Sequence, residues 1–156
     1  MFGGRSGGSL GVQEETGVLK LQGRVIKEGK AHGFALVSPE PIGFLGGVDP
    51  ETGVVVEPGH PLRGQSVAGK VLAFPGGKGS TVGSYVLYRL AFKGVAPLAI
   101  LNESSEAIVA VGAIIANIPM VDQIEIGRIQ TGDEVTVDGE WVMVQRVARR
   151  KPPASG

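Results

Sequence analysis

The strongest constraint on the fold lies between residues 70 and 116, where a strand signal, a polar loop and a helix signal follow one another in that order twice. Lys70-Val-Leu-Ala-Phe74 has the length and composition of a buried strand, and it delivers the chain to FPGGKGSTVGSY, in which five of twelve residues are glycine or proline. From Thr81 to about Phe92, Val82, Tyr85, Val86, Leu90 and Ala91 fall close to an i, i+3, i+4 spacing, and Lys93-Gly94 supplies a stop. Pro97-Leu-Ala-Ile-Leu101 then reads as a strand, Asn102 to Ser105 as a polar loop, and Glu106 to Ala116 as an apolar helix ending near Asn117. Because its apolar residues run almost all the way round, that second helix is expected in the core rather than at an interface.

The flanks are β-rich. Val18 to Ile26 alternates apolar and polar residues, Gly33-Phe-Ala-Leu-Val37 is a short apolar run, and Val54-Val-Val-Glu57 follows a turn-dominated segment from Pro41 to Gly53. A strand at Ile118-Pro-Met-Val121 precedes Glu134 to Val144, whose Asp138-Gly139 centre signals a hairpin. The expectation is an α/β domain over residues 17–147, a β-rich shell around about two βα units. It carries a flexible arm over 1–16 and a disordered basic tail over 148–156. At 156 residues one core suffices.

Composition narrows the function. Fifteen basic and fifteen acidic residues cancel, and aromatic content is 5%, so neither nucleic acid nor an anionic membrane is an expected partner. No run approaches the roughly 20 apolar residues of a membrane span, and the start lacks the apolar region of a secretory signal, which makes the cytoplasm the expected location. The chain has no cysteine, so it forms no disulfide and gives no thiolate to an iron–sulfur centre. Its two histidines, His32 and His60, have no third ligand at usable spacing, and no zinc site is expected.

The glycine-rich loop is not a P-loop. Gly77-Lys78 is followed by Gly79 rather than a hydroxyl residue, and Leu72 stands where the first glycine should be. Several glycines nevertheless let backbone N–H groups converge on a ligand, and a helix beginning near Ser80 and Thr81 favours an anion such as a carboxylate or phosphate. Two roles are open to Ser80: capping that helix, or acting as an alkoxide, stabilised by surrounding donors, that takes a proton from carbon. Lys78 reads either as an exposed loop lysine or as a charge that binds phosphate. A second constellation, Phe44-Leu-Gly-Gly-Val-Asp-Pro-Glu-Thr-Gly53, centres on Asp49, open to a turn role or a ligand role, with Gly46 and Gly47 allowing close backbone approach. No G-x-S-x-G elbow is present.

Gly46-Gly-Val-Asp-Pro-Glu-Thr-Gly53, His60-Pro-Leu-Arg-Gly64, Ala68 to Tyr85, Ala107-Ile-Val-Ala-Val-Gly-Ala-Ile-Ile-Ala116 and Ile118-Pro-Met-Val-Asp122 together resemble the small subunit of the aconitase X family, over about residues 18 to 145. The resemblance implies a swivelling β/β/α domain, like the mobile domain of aconitase, working against a separate large subunit that holds an iron–sulfur cluster of the 4Fe-4S type. It implies a hydro-lyase active only as that heterodimer, with no cofactor in this chain. It places the proton-acceptor role on Ser80 and a substrate-binding role on Gly46, Gly47, Asp49, Lys78, Gly79 and Thr81, Asp49 by the looser match. Two dehydrations occur in the family, of (R)-5-phosphomevalonate to trans-anhydromevalonate 5-phosphate in the archaeal mevalonate route and of cis-3-hydroxy-L-proline. GGKGSTVGSYVLY is similar to the former type. A non-catalytic ligand-binding module that reuses the fold is the alternative from another class. The apolar loop 42–48 is expected to contact the partner or close on substrate rather than to be permanently buried.

Overall fold

The computed structural model describes residues 11–15, 17–78 and 83–146. Among them nine strands form one sheet in the order β1-β2-β9-β8-β4-β5-β6-β7-β3. The strands are β1 (Gly11–Glu15), β2 (Val18–Gln22), β3 (Arg24–Lys27), β4 (Lys30–Val37), β5 (Val71–Phe74), β6 (Ala99–Asn102), β7 (Met120–Asp122), β8 (Glu134–Asp138) and β9 (Trp141–Gln145). Two helices, α1 (Gly83–Phe92) and α2 (Ala107–Ala116), lie between β5 and β6 and between β6 and β7. The two βα units expected from the sequence are thus present, and β4, β5, β6 and β7 pair in parallel.

Strand β4 joins two kinds of sheet. Its first part, Lys30 to Phe34, pairs antiparallel with β8, and its second, Ala35 to Val37, pairs parallel with β5. Successive side chains of a strand point to opposite faces, and that alternation sorts the core into two clusters. Leu36, Leu72, Phe74, Ile100 and Met120 face the helices and pack with Val86, Leu87, Leu90, Val109 and Ala113. Ala35, Val71, Ala73, Ala99, Leu101 and Val121 face the other way, onto Leu19, Leu21, Val135, Val137, Val142 and Val144 of the antiparallel layer. The parallel strands are apolar throughout because both their faces are covered. The result is the expected three-layer β/β/α arrangement.

Local chemistry sets the helix ends. Glu106 caps α2, its carboxylate accepting from the N–H groups of Ile108 (3.1 Å) and Val109 (3.2 Å). Asn117 ends α2 in the left-handed region at φ 59°. Gly94, at φ 76°, ends α1 while the Val95 N–H donates to the Leu90 carbonyl at 2.9 Å, so the stop falls where Lys93-Gly94 indicated.

Several expectations are corrected. Residues 11–15, assigned to a flexible arm, form β1, every residue of which pairs with β2; residues 1–10 and the tail from 147 onward lie outside the described residues. The run Val18 to Ile26 is two strands, broken at Gly23, where an added Cβ would lie 2.4 Å from the Asp122 carbonyl oxygen. Val54 to Glu57 forms only isolated bridges, Val54 with Ser66 and Val55 with Val48. Helix α2 is not wholly a core element: Val111, Ile114 and Ile115 are 47, 50 and 57% exposed. The periodicity reading failed there because an apolar sequence all round a helix does not say how many of its sides are covered.

Candidate functional site

In open parallel sheets ligands bind beyond the carboxyl ends of the strands, and here three loops leave that edge: 38–57 after β4, 75–78 after β5 and 103–105 after β6. The first two are laced together. Ile42 and Gly77 form a parallel bridge, with the Ile42 N–H donating to the Gly76 carbonyl and the Lys78 N–H to the Ile42 carbonyl, both at 3.2 Å. Phe44 stacks edge-on against Phe74 with centroids 6.0 Å apart. His60, buried, clamps the segment from the far side: its Nδ1 accepts from the Leu62 N–H at 3.0 Å, leaving Nε2 to donate to the Pro41 carbonyl at 3.1 Å. That bonding fixes the tautomer and gives this histidine a structural task.

Between these straps lies an open, shallow pocket of about 300 Å³ lined by Gly43, Leu45, Gly46, Gly47, Glu57 and Lys78. Lys78 Nζ donates to Glu57 Oε2 at 3.0 Å across it. Gly46 adopts φ 81°, and an added Cβ on Gly47 would lie 2.1 Å from the Gly43 carbonyl oxygen and 3.3 Å from Glu57 Oε1. No side chain fits at 47, so the loop curls tightly enough to bring the glutamate to the lysine. Gly77 is needed for a different approach: its Cβ would meet Val109 Cγ2 at 2.5 Å and Glu106 Oε1 at 2.9 Å. The glycine-rich stretch therefore rides directly on the start of α2, whose N-terminal donors Glu106 already occupies.

The third loop is held by a buried carboxylate. Arg24 grips Asp122 with both nitrogens, Nε at 3.0 Å and Nη2 at 2.7 Å, and the Ser105 N–H donates to Asp122 at 3.2 Å. Burial pushes the Asp122 carboxyl up, but the Arg24 and Ser105 hydrogen bonds outweigh it and hold it below the usual carboxylate range. Asn102, at the end of β6, donates to the Phe74 carbonyl at 2.9 Å and so ties the exit of β5 to its neighbour.

Of the site residues named from the sequence, Gly46, Gly47 and Lys78 are brought together. Gly79, Ser80 and Thr81 lie outside the described residues, between Lys78 and the start of α1. Asp49 is not among the residues that line the cavity; its carboxylate accepts from the Glu51 N–H at 2.9 Å, a turn contact. Sequence reasoning missed Glu57, which had been counted as the end of a strand and which nothing local connects to Lys78, 21 residues on. Loop 42–48 is also corrected: Ile42, Phe44 and Val48 are core residues at 1 to 2% exposure, and only Leu45 and Gly46 are open. All three belong to the core cluster that holds Leu72 and Phe74 of β5.

The donor set does not fit a metal cluster on this chain. It has no cysteine, and no three histidine, aspartate or glutamate side chains gather suitably among the described residues. Among those residues no helix is long and apolar enough to cross a membrane.

A β/β/α domain with a glycine-lined pocket, carrying a lysine–glutamate pair, at the carboxyl edge of its parallel strands is the class that fold and site define. The chain belongs to the aconitase X swivel domain family, whose model matches residues 20–145. It is 54% identical over 131 residues to the phosphomevalonate dehydratase small subunit of Pyrococcus furiosus, covering 84% of this chain and 98% of that protein. The corresponding small subunit of Methanocella arvoryzae is 59% identical over 124 residues, covering 78% and 94%. The crystal structure of Thermococcus kodakaraensis aconitase X in its holo-form superposes with a TM-score of 0.79 at 54% identity, covering 80% of this chain and 97% of that one.

Proposed function

We infer that this chain is the small subunit of a phosphomevalonate dehydratase, a hydro-lyase that removes water from (R)-5-phosphomevalonate to give trans-anhydromevalonate 5-phosphate. The observation that carries the reading is end-to-end similarity to small subunits of that name, at 54 to 59% identity over 94 to 98% of their length. The same name gives the chain a large-subunit partner. An iron–sulfur cluster is assigned to that partner, because this chain has no cysteine to hold one. The cytoplasm is the proposed location.

The chemistry asked of this chain is positioning and proton transfer. Elimination of water breaks a C–H bond and the C–O bond on the adjacent carbon, and a base must accept the proton as the double bond forms. That role is proposed for Ser80, two residues beyond Lys78, with the loop N–H groups around it stabilising the alkoxide. Lys78 is proposed to meet the substrate's phosphate at the cavity, exchanging its ion pair with the Glu57 carboxylate for one with the phosphate. Gly46, Gly47, Gly79 and Thr81 are proposed as backbone and hydroxyl donors to the substrate, and the Asp49 turn as support for the loop.

The test is Ser80→Ala in the reconstituted two-subunit enzyme. Loss of a general base lowers kcat by about 100-fold or more with little change in KM. Turnover near that of the unaltered enzyme removes Ser80 from the mechanism. Assay of the unaltered enzyme on phosphomevalonate against cis-3-hydroxy-L-proline checks the substrate.

A further inference from the structure

Helix α2, AIVAVGAIIA, contains no polar side chain, yet four of its ten residues are exposed. Val111, Ile114 and Ile115 stand 47, 50 and 57% exposed, with Ala107 exposed beside them. These positions follow i, i+4, i+7, i+8, a single stripe on the side opposite Val109 and Ala113, which enter the core. Helix α1 carries a second stripe at i, i+3, i+7: Tyr85, Tyr88 and Phe92, exposed by 56, 46 and 76%. A surface helix of a free-standing domain turns charge to water on this side.

The two stripes belong to one patch. An added Cβ on Gly83 would lie 3.5 Å from Ile108 Cγ2, and one on Gly112 would lie 2.7 Å from Leu87 Cδ1 and 3.0 Å from Ser84 Cα. The helices therefore run side by side in the same direction, with residue 83 level with 108 and 87 level with 112. At about 100° per residue, Tyr88 adjoins the face that Ser84 and Leu87 turn to α2, and Val111 and Ile115 adjoin the face that Gly112 turns to α1. Tyr88 thus sits at the groove between the helices, at the height of Val111 to Ile115. The three aromatic side chains alone present on the order of 350 Å², nearly half of the ~800 Å² that each partner gives to a standard interface. Patches of this size on a soluble chain mark binding faces.

The patch also reaches the cavity. An added Cβ on Gly83 would lie 3.9 Å from the backbone N of Leu45 as well as close to Ile108. Leu45, 48% exposed and a wall of the cavity, therefore stands at the corner where both helices begin. A body that closes over the cavity from that side continues onto the helix pair. We propose that the exposed face of α1 and α2, made by Tyr85, Tyr88, Phe92, Val111, Ile114 and Ile115, is the surface on which the large subunit docks, with Leu45 at its inner rim. The inference rests on the reading of this chain as a small subunit and adds which face meets the partner. Over α2 the partner's complementary surface is apolar, since that helix offers nothing to hydrogen-bond beyond its backbone, whereas over α1 the Tyr85 and Tyr88 hydroxyls can pair with polar groups.

The test measures binding of the purified chain to the cognate large subunit by calorimetry, with sedimentation to report the assembly state. Tyr88→Glu and Ile115→Glu, both at exposed positions, are expected to weaken the heterodimer at least 100-fold while the thermal midpoint of the isolated chain stays unchanged. Thr136→Lys, on the antiparallel layer away from the helices, is expected to bind as the unaltered chain does. Binding of either glutamate variant within threefold of the unaltered chain overturns the proposal. So does a self-associated form of this chain, abolished by the same variants, that the large subunit does not dissociate. Phosphomevalonate turnover by the unaltered complex is read separately: a heterodimer that needs the helix face but does not turn over this substrate leaves the docking inference standing and removes the substrate reading. Failure of the unaltered chain to bind the large subunit overturns both.

Discussion

Lys78 and Glu57 form an ion pair at 3.0 Å with both side chains partly exposed, at 46 and 28%. Such a pair adds little to stability, within about 1 kcal/mol, and on the proposed reading Lys78 serves at the pocket to bind the substrate's phosphate. Lys78→Ala is expected to raise KM for the phosphorylated substrate by about 10- to 100-fold, the worth of one or two charge-assisted hydrogen bonds, and to move kcat far less. Glu57→Gln acts in the opposite sense: with no carboxylate for the phosphate to displace, KM falls, and steady-state kinetics at fixed salt distinguish the two. At this scale the sequence was informative where residue type restricts role. Gly46, Gly47 and Lys78, named from their residue types, are brought together at one pocket. Glu57 could not be named, because its place at the pocket comes from a contact with Lys78 that only the folded loops create, and for Asp49, where the sequence left a turn role and a ligand role open, the structure shows the turn contact with the Glu51 N–H.

The elements were legible in proportion to how completely their neighbours cover them. Strands β5 and β6, buried on both faces, and the hairpin of β8 and β9, whose turn at Gly139-Glu140 falls one residue beyond the expected Asp138-Gly139 centre, lie close to where their sequences place them. Strand β4 extends three residues earlier than the apolar run begins, since Lys30, Ala31 and His32 are held by pairing with β8 rather than by burial. Val54 to Glu57 has strand composition but finds only isolated bridging partners, a tertiary outcome that propensity does not contain. The contact between helices turns on Gly112, where an added Cβ would lie 2.7 Å from Leu87 Cδ1. Gly112→Val is expected to force α1 from α2 and to destabilise the chain by about 1–3 kcal/mol, read as a lower urea midpoint with an unchanged slope.

For the molecule as a whole, stability in acid follows Asp122, which fastens β7, β3 and the loop before α2 to one another. Its carboxyl titrates below the usual range in the folded chain. The stability it contributes is therefore complete above the unfolded value of about 3.9 and is lost as pH falls through the lower folded value. Asp122→Asn is expected to cost about 1.5–3 kcal/mol at neutral pH, and the difference from the unaltered chain is expected to shrink on acidification; urea titrations at pH 7 and in strong acid check it. Chelators are expected to leave the thermal midpoint of the isolated chain unchanged, because no metal ligands gather among its described residues. Strand β4 passes without interruption from an antiparallel neighbour to a parallel one, so the two cores are stitched to a single length of backbone. A body built that way has no internal seam along which to open. Drawing the two layers apart would mean breaking that one strand rather than parting two separate segments.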